Sequence, residues 1–207
     1  MRAEERERQI VAGAISFFAE RGFSGQTREL ARELGITQPL LYRYFPSKQA
    51  LIERVHQELF VRRWDAAWEA LLADRRLPLR ERLERFYTAF CERIFSREWV
   101  RMFVYAGLGH LAYNAQVLEN IERQALRRVA AELRAHLGAP EVAPERVTDL
   151  ELEHAWQLHG AAFYWHVRRH VYGLAARQPL PEAIALMVES YLAGGTAVMR
   201  RALQAGA

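Results

Sequence analysis

The chain has 207 residues, of which 51% are hydrophobic and 26% are charged, and its formal net charge is +4. Such a chain can form one large or two modest globular domains, each with a hydrophobic core. A single cysteine, Cys91, excludes an internal disulfide and a multi-cysteine metal site, which favours a reducing cytoplasm. No run approaches the roughly 18 apolar residues of a membrane span, and the charged residues 1–8 are not expected to begin a secretory signal.

The first part of the chain shows the periodicity and punctuation of short helices. Apolar residues at helical spacing predict helices over about 4–21, 27–34, 38–45 and 48–72. Gly22 stands where a helix C-terminus favours positive φ. Thr37 is expected to cap the third helix, with Pro39 in its first turn, and Ser47 to cap a long fourth helix.

The remainder of the chain is also predicted to be helical. The same periodicity gives helices at about 79–95, 98–106, 112–137, 146–172 and 180–203. Glycine and proline mark the breaks between them, and neither strand alternation nor an internal repeat is present. The predicted fold class is therefore all-α.

Residues 26–45 have the spacing of a helix-turn-helix. Ala31 is small where two helices cross, and Gly35 occupies the turn four residues later. Ile36 and Leu41 are apolar where the second helix packs against the first. Other helical hairpins share this spacing, so it does not by itself establish DNA binding.

The distribution of charge favours a nucleic-acid surface at this motif. Residues 34–52 contain no Asp or Glu, although the rest of the chain is rich in Glu, and they include Arg43 and Lys48. A surface that meets phosphates avoids carboxylates and needs cations and hydroxyl donors. The hydroxyl donors of this window are Thr37, Tyr42 and Tyr44.

Several motifs resemble the TetR family of bacterial transcriptional regulators. They are FFAERGF at 17–23, LA at 30–31, LGIT at 34–37, LYRYFPSK at 41–48 and AL at 50–51. The resemblance implies a three-helix DNA-binding domain at 1–47 and a larger helical domain at 48–207 for ligand binding and dimerisation. It also implies a ligand-responsive repressor that binds a palindromic double-stranded DNA operator as a homodimer, without a cofactor.

Charge and resemblance together predict nine DNA-contacting residues. They are Thr27, Arg28, Thr37, Gln38, Pro39, Tyr42, Arg43, Tyr44 and Lys48. By position in the family motif, Gln38, Pro39 and Tyr42 would face the major groove. Gln38 is the best candidate for a base contact, because its amide can donate and accept together. Between Phe23 and Leu30 the chain is one residue shorter than the usual family spacing.

The larger domain offers two candidate surfaces. An apolar or aromatic effector could bind a pocket lined by Phe86, Phe90, Phe103, Tyr105, Tyr113, Trp156, His159 and Phe163. Aromatic residues at helical spacing are more often simply core. Small residues at 160–162 and 193–195 suggest close helix approach, and the resemblance implies a dimer through the last two helices.

Metal binding and catalysis are the alternatives. His166 and His170 stand at the i, i+4 spacing of two-histidine ligand pairs, but no carboxylate follows Glu153 nearby. The four histidines between 154 and 170 are therefore expected at the surface or an interface, with no metal site. We find no paired carboxylates, phosphate loop or nucleophile motif, so an enzyme is not expected. A binding module without DNA affinity is disfavoured by the acid-free window.

Overall fold

The computed structural model describes residues 3–61, 63–108 and 113–205, and every regular element within these ranges is helical. The helices are α1 Ala3–Arg21, α2 Thr27–Glu33, α3 Gln38–Tyr44, α4 Lys48–His56, α5 Ala67–Ala73, α6 Leu79–Ile94, α7 Arg97–Leu108, α8 Tyr113–Ile121, α9 Arg127–His136, α10 Asp149–His170 and α11 Leu180–Ala205. In the described part of the chain no helix has the length and hydropathy that crossing a membrane would require. The all-α prediction is confirmed.

The chain divides into two compact units. Unit 1 comprises Met1–Trp64 and Ser96–Val117, and unit 2 comprises Asp65–Phe95 and Leu118–Ala207. Unit 1 therefore contains α4 and α7 as well as the first three helices. The predicted domain boundary lies after Ser47. The compact units group the helices differently, because α1 contacts both α4 and α7.

The core of unit 1 forms where α1, α4 and α7 bury their apolar faces. The buried residues include Ile10, Phe17, Phe18, Leu51, Val55, Trp99 and Met102. Phe23, just after α1, packs on Phe18 with ring centroids 5.7 Å apart. This is the helical roof that a short helix pair needs, because two seven-residue helices cannot bury an apolar face alone.

The predicted turn and caps around α3 are present. Gly35 has φ +64°, a left-handed conformation that glycine adopts without a Cβ penalty. The Thr37 hydroxyl accepts a hydrogen bond from Leu40 N at 3.3 Å. The Ser47 hydroxyl accepts one from Ala50 N at 3.0 Å and so caps α4.

The prediction of one long helix from Lys48 to about Leu72 is wrong. Helix α4 ends at His56, a π-helical turn follows at Gln57–Val61, and α5 begins at Ala67. The Asp65 carboxylate accepts a hydrogen bond from Ala67 N at 3.0 Å and helps to start the new helix. Leu59 and Trp68 are buried on either side of the break.

Unit 2 is organised around α6, α9, α10 and α11. The predicted helices correspond to α6, α10 and α11, and the run predicted at 112–137 contains a π-helical turn at Glu122–Leu126 between α8 and α9. Helix α10 begins with a capping box, in which Thr148 and Glu151 satisfy each other's backbone N–H groups. Arg82 of α6 and Glu132 of α9 form an ion pair of 2.8 Å in which both side chains are buried.

Candidate nucleic-acid interface

One face of helix α3 packs against the core of unit 1, and the opposite face is exposed. Leu41 and Phe45 are 1% and 6% exposed and hold the helix against its neighbours. Pro39 and Arg43 are exposed on the opposite side, and Thr37 is exposed at the start of the helix. The outer face is therefore available to a partner along its whole length.

Three polar side chains connect α2 to α3. The Gln38 amide nitrogen donates to the Thr27 hydroxyl oxygen at 3.1 Å, and that oxygen lies 2.9 Å from the Tyr42 hydroxyl oxygen. Thr27 is only 8% exposed, whereas Tyr42 is 38% exposed. Two predicted base-contacting residues thus share one buried partner.

The cations of this surface are Arg28, Arg43 and Lys48. Within the residues that the structure describes, Arg28, Arg43 and Lys48 form no ion pair with a carboxylate. The Arg43 guanidinium lies over the Tyr44 ring, 5.7 Å from its centroid. Because the acid-free window extends over α3 and the start of α4, this surface can attract phosphates.

The two glutamates of α2 form ion pairs with an arginine of α1. Arg21, at the end of α1, pairs with Glu29 at 2.9 Å and also with Glu33. These contacts tie α2 to α1 and compensate two carboxylates close to the candidate interface. Surface pairs of this kind add little stability, so their main effect here is on charge and orientation.

Helix α7 holds the C-terminal end of α1. Arg101 donates its Nε–H to the carbonyl oxygen of Ala19 at 2.6 Å. The Glu20 carboxylate pairs with Arg97, and this hydrogen bond lowers the pKa of Glu20 below its usual value. Sequence reasoning missed these positioning residues, since no short-range pattern joins positions about 80 apart.

A family model described as bacterial regulatory proteins, tetR family, matches residues 10–55. The match begins in α1 and ends in α4, so it spans the whole helix-turn-helix and the open face of α3. Over residues 10–55 the chain therefore matches the TetR family.

Curated relatives of this chain match mainly its N-terminal part. A tetracycline repressor protein class D from Escherichia coli is 31% identical over 85 residues, which are 37% of this chain and 39% of that protein. The nucleoid occlusion factor SlmA of Haemophilus ducreyi is 42% identical over 62 residues, 27% of this chain and 31% of that protein. The chain thus covers less than two fifths of either relative.

Solved structures match over nearly the whole chain. A TetR-like transcriptional regulator from Rhodococcus sp. aligns with a TM-score of 0.69 and 22% identity, over 95% of this chain and 98% of that one. A tetR-family transcriptional regulator from Streptomyces coelicolor gives 0.60 and 21%, over 99% and 90%. These likenesses show that both units follow the family fold.

The eight predicted pocket residues do not lie in one unit. Those in unit 2 are Phe86, Phe90, Trp156, His159 and Phe163, those in unit 1 are Phe103 and Tyr105, and the side chain of Tyr113 lies outside the described residues. In unit 2, His159 packs edge-on against Phe90 and Phe95 with ring centroids 5.6 and 5.8 Å apart. Burial lowers the pKa of His159 to about 4, so its ring is neutral at pH 7.

The histidines of α10 are mostly core residues, contrary to the prediction of a surface or interface position. His154, His159 and His166 are buried, because α10 packs against α11, α9 and α6. The Nε2–H group of His154 donates a hydrogen bond to the carbonyl oxygen of Tyr191 at 2.9 Å. Over the described ranges, no group of three or more His, Cys, Asp or Glu residues is arranged to hold a metal ion.

The predicted close approach at glycine is present within the chain. A Cβ on Gly194 would lie 3.2 Å from the His154 ring, and one on Gly195 would lie 3.0 Å from Leu133. These glycines therefore let α11 pack closely on α10 and α9. Gly160 is different, since it is exposed and has open space around it.

Proposed function

We propose that this TetR-family chain is a transcriptional repressor that binds an operator duplex by placing α3 in the major groove. The observation that carries this proposal is the open, acid-free face of α3, on which cations flank a polar side chain able to read bases. Phosphate attraction supplies affinity and base edges supply specificity, and both require carboxylates to be kept away.

The residues of this face divide by chemistry. Gln38, Pro39 and Tyr42 lie together on the part of α3 that would face bases, where an amide suits adenine and apolar surface suits the thymine methyl group. Arg43 is a further candidate for base contact. The candidates for backbone contact are Arg28, Thr37, Tyr44 and Lys48, which supply positive charge or hydroxyl groups at the edges of the same face.

Selection of bound duplexes from a random library tests this proposal most broadly. A dimer should recover a palindrome whose half-site centres are one helical turn apart, about 10 base pairs or a related spacing. Gln38→Ala should broaden base preference at one position in each half-site. Arg146→Ala removes an exposed arginine of unit 2 and should leave the recovered site unchanged. Recovery of no preferred sequence by the wild-type protein would contradict the proposal.

A second copy of the chain is the proposed partner of the outer face of α10 and α11. Tyr164 and Leu186 are 54% and 67% exposed there. Gly160 and Ala161 are exposed on the same helix as Tyr164, and small residues allow two helices to approach closely. Met187 lines the neighbouring groove and adds apolar surface.

Charge introduced on this face should separate the two copies. Leu186→Glu would bury a carboxylate in the interface, so we expect a shift from dimer to monomer in analytical ultracentrifugation. Leu118→Glu is the control, because Leu118 is an exposed leucine on α8. A dimer that tolerates Leu186→Glu as well as Leu118→Glu would rule out this interface.

An apolar or aromatic small molecule is the proposed effector. Support comes from the aromatic cluster of unit 2, whose neutral His159 ring has one nitrogen that can donate a hydrogen bond and one that can accept a hydrogen bond. Two relatives are named tetracycline repressors, which favours repression over activation. An effector should weaken operator binding by about 5- to 150-fold in fluorescence anisotropy, the usual range of allosteric coupling. A bound effector that leaves operator affinity unchanged would contradict the regulatory part of the proposal.

A further inference from the structure

We infer that Thr27 is a positioning residue that sets base specificity, because its buried hydroxyl orients Gln38 and Tyr42 for readout. This inference rests on the proposed function and replaces a direct phosphate contact for Thr27. It predicts that the hydroxyl group affects which duplex is preferred, more than how tightly DNA in general is bound.

The accessible surface of Thr27 makes a phosphate contact unfavourable. The side chain lies at the start of α2 and is only 8% exposed. Its oxygen accepts a hydrogen bond from the Gln38 amide at 3.1 Å and is bonded to the Tyr42 hydroxyl at 2.9 Å. A threonine hydroxyl has one proton and two lone pairs, so these two bonds use most of its capacity.

The anchored amide of Gln38 favours one base. One N–H of the amide is held by Thr27, so the other N–H and the carbonyl oxygen remain to face the groove. Adenine presents an acceptor at N7 and a donor at N6, which match this donor and acceptor pair. Guanine presents two acceptors, so its O6 would meet the carbonyl oxygen of Gln38 unfavourably.

Loss of the hydrogen bond between Gln38 and Thr27 would therefore weaken the preference for adenine over guanine. Without the Thr27 hydroxyl, the amide of Gln38 can rotate by half a turn and offer N–H groups where the carbonyl oxygen had been. Guanine would then be accepted at the position where adenine is preferred. The anchor also removes side-chain rotamers before binding, which reduces the entropy lost when the complex forms.

The Tyr42 bond has a related consequence. Because its hydroxyl is bonded to Thr27, the ring rather than the hydroxyl is the part of Tyr42 that a base would contact. The ring is 38% exposed and offers apolar surface of the kind that contacts a thymine methyl group. Thr27 thus fixes an amide and a ring one helical turn apart on α3.

The test compares Thr27→Val, which removes only the hydroxyl, with Thr27→Ser, which keeps it. The probes are the duplex that the wild-type protein selects from a random library, its adenine-to-guanine derivative at the position that Gln38→Ala relaxes, and a random duplex. We expect Thr27→Val to reduce the adenine-to-guanine affinity ratio by about tenfold, and Thr27→Ser to retain it. In a Gln38→Ala background, Thr27→Val should not change this ratio further.

Several results would overturn the inference. An equal loss of affinity for all three duplexes with an unchanged ratio would show that Thr27 contacts the backbone. A ratio that Thr27→Val leaves at the wild-type value, with selected DNA still bound, would also overturn it while leaving the proposed function intact. If the wild-type protein selects no duplex, the proposed function fails and the inference fails with it. Circular dichroism melting checks the fold, and Thr27→Ala replaces Thr27→Val if the latter does not fold.

Discussion

The candidate interface of unit 1 and the core of unit 2 use their cations in opposite ways. On the candidate interface of unit 1, Arg28, Arg43 and Lys48 form no ion pair within the residues that the structure describes. In the core of unit 2, buried arginines are matched with carboxylates, as Arg82 is with Glu132 at 2.8 Å and Arg134 is with Glu151 at 2.8 Å. Sequence-wide net charge does not distinguish these two arrangements.

This difference separates charge that serves folding from charge that serves binding. A buried arginine must be paired, because an isolated charge removed from water is costly. An exposed arginine without a carboxylate contributes little to folding but leaves its whole field to a polyanion. Substitution of the buried arginines of unit 2 should therefore change stability, whereas substitution of the cations on α3 and α4 should change DNA affinity.

Arg82→Met should give the largest effect on stability. Among the residues that the structure describes, it leaves the buried Glu132 with Arg75 as its remaining partner, so we expect a loss of about 3 kcal/mol in the free energy of unfolding by urea. Arg80→Met is the matched control on α6, because Arg80 pairs with Glu84 and Glu189 at the surface. Its cost should stay below about 1 kcal/mol. Equal costs for the two variants would contradict the distinction between buried and exposed pairs.

The buried histidines predict the next largest effect, an acid-sensitive unit 2. Burial lowers the pKa of His159 from 6.5 to about 4, so below pH 6.5 the unfolded chain binds a proton that the folded chain does not. Its contribution to stability is therefore present above pH 6.5 and is lost as the pH falls towards 4. The loss should be roughly 3 kcal/mol.

His159→Phe should remove this part of the pH dependence. The measurement is the unfolding free energy in urea at pH 7 and at pH 4.5, for the variant and the wild type. Burial also lowers the pKa of His166 to about 4, so the variant should keep part of the acid sensitivity. Identical pH profiles for the two proteins would show that His159 does not titrate in this range.

The sequence predicted most of unit 1 because its signals are local. Thr37 and Ser47 cap the helices that follow them, and Gly35 takes the left-handed turn, as their positions indicated. The prediction of one long fourth helix was wrong for a physical reason. Leu59 and Trp68 are buried on either side of the break, so apolar residues are present on both sides of it, and Asp65 starts the new helix through its bond to Ala67 N.

The candidate site depends on contacts that periodicity does not reveal. The bonds of Thr27 to Gln38 and Tyr42 arise from the way α2 crosses α3, and residues 11 and 15 positions apart carry no pattern that predicts them. The same holds for Arg101, which reaches the carbonyl of Ala19 across 82 positions. The prediction placed the histidines of α10 at the surface or an interface. It was wrong because a helix that packs against several neighbours also buries polar residues that its sequence alone would leave exposed.

Salt dependence of DNA binding is the most direct test of the central claim, that the cations of α3 and α4 meet a phosphate backbone. Anisotropy titrations over a range of salt concentrations should give a linear fall of log affinity with log salt for the wild-type protein. Lys48→Ala should reduce that slope by about one unit and weaken binding to all duplexes alike, with no loss of unfolding free energy. A slope that is unchanged in Lys48→Ala would contradict the account.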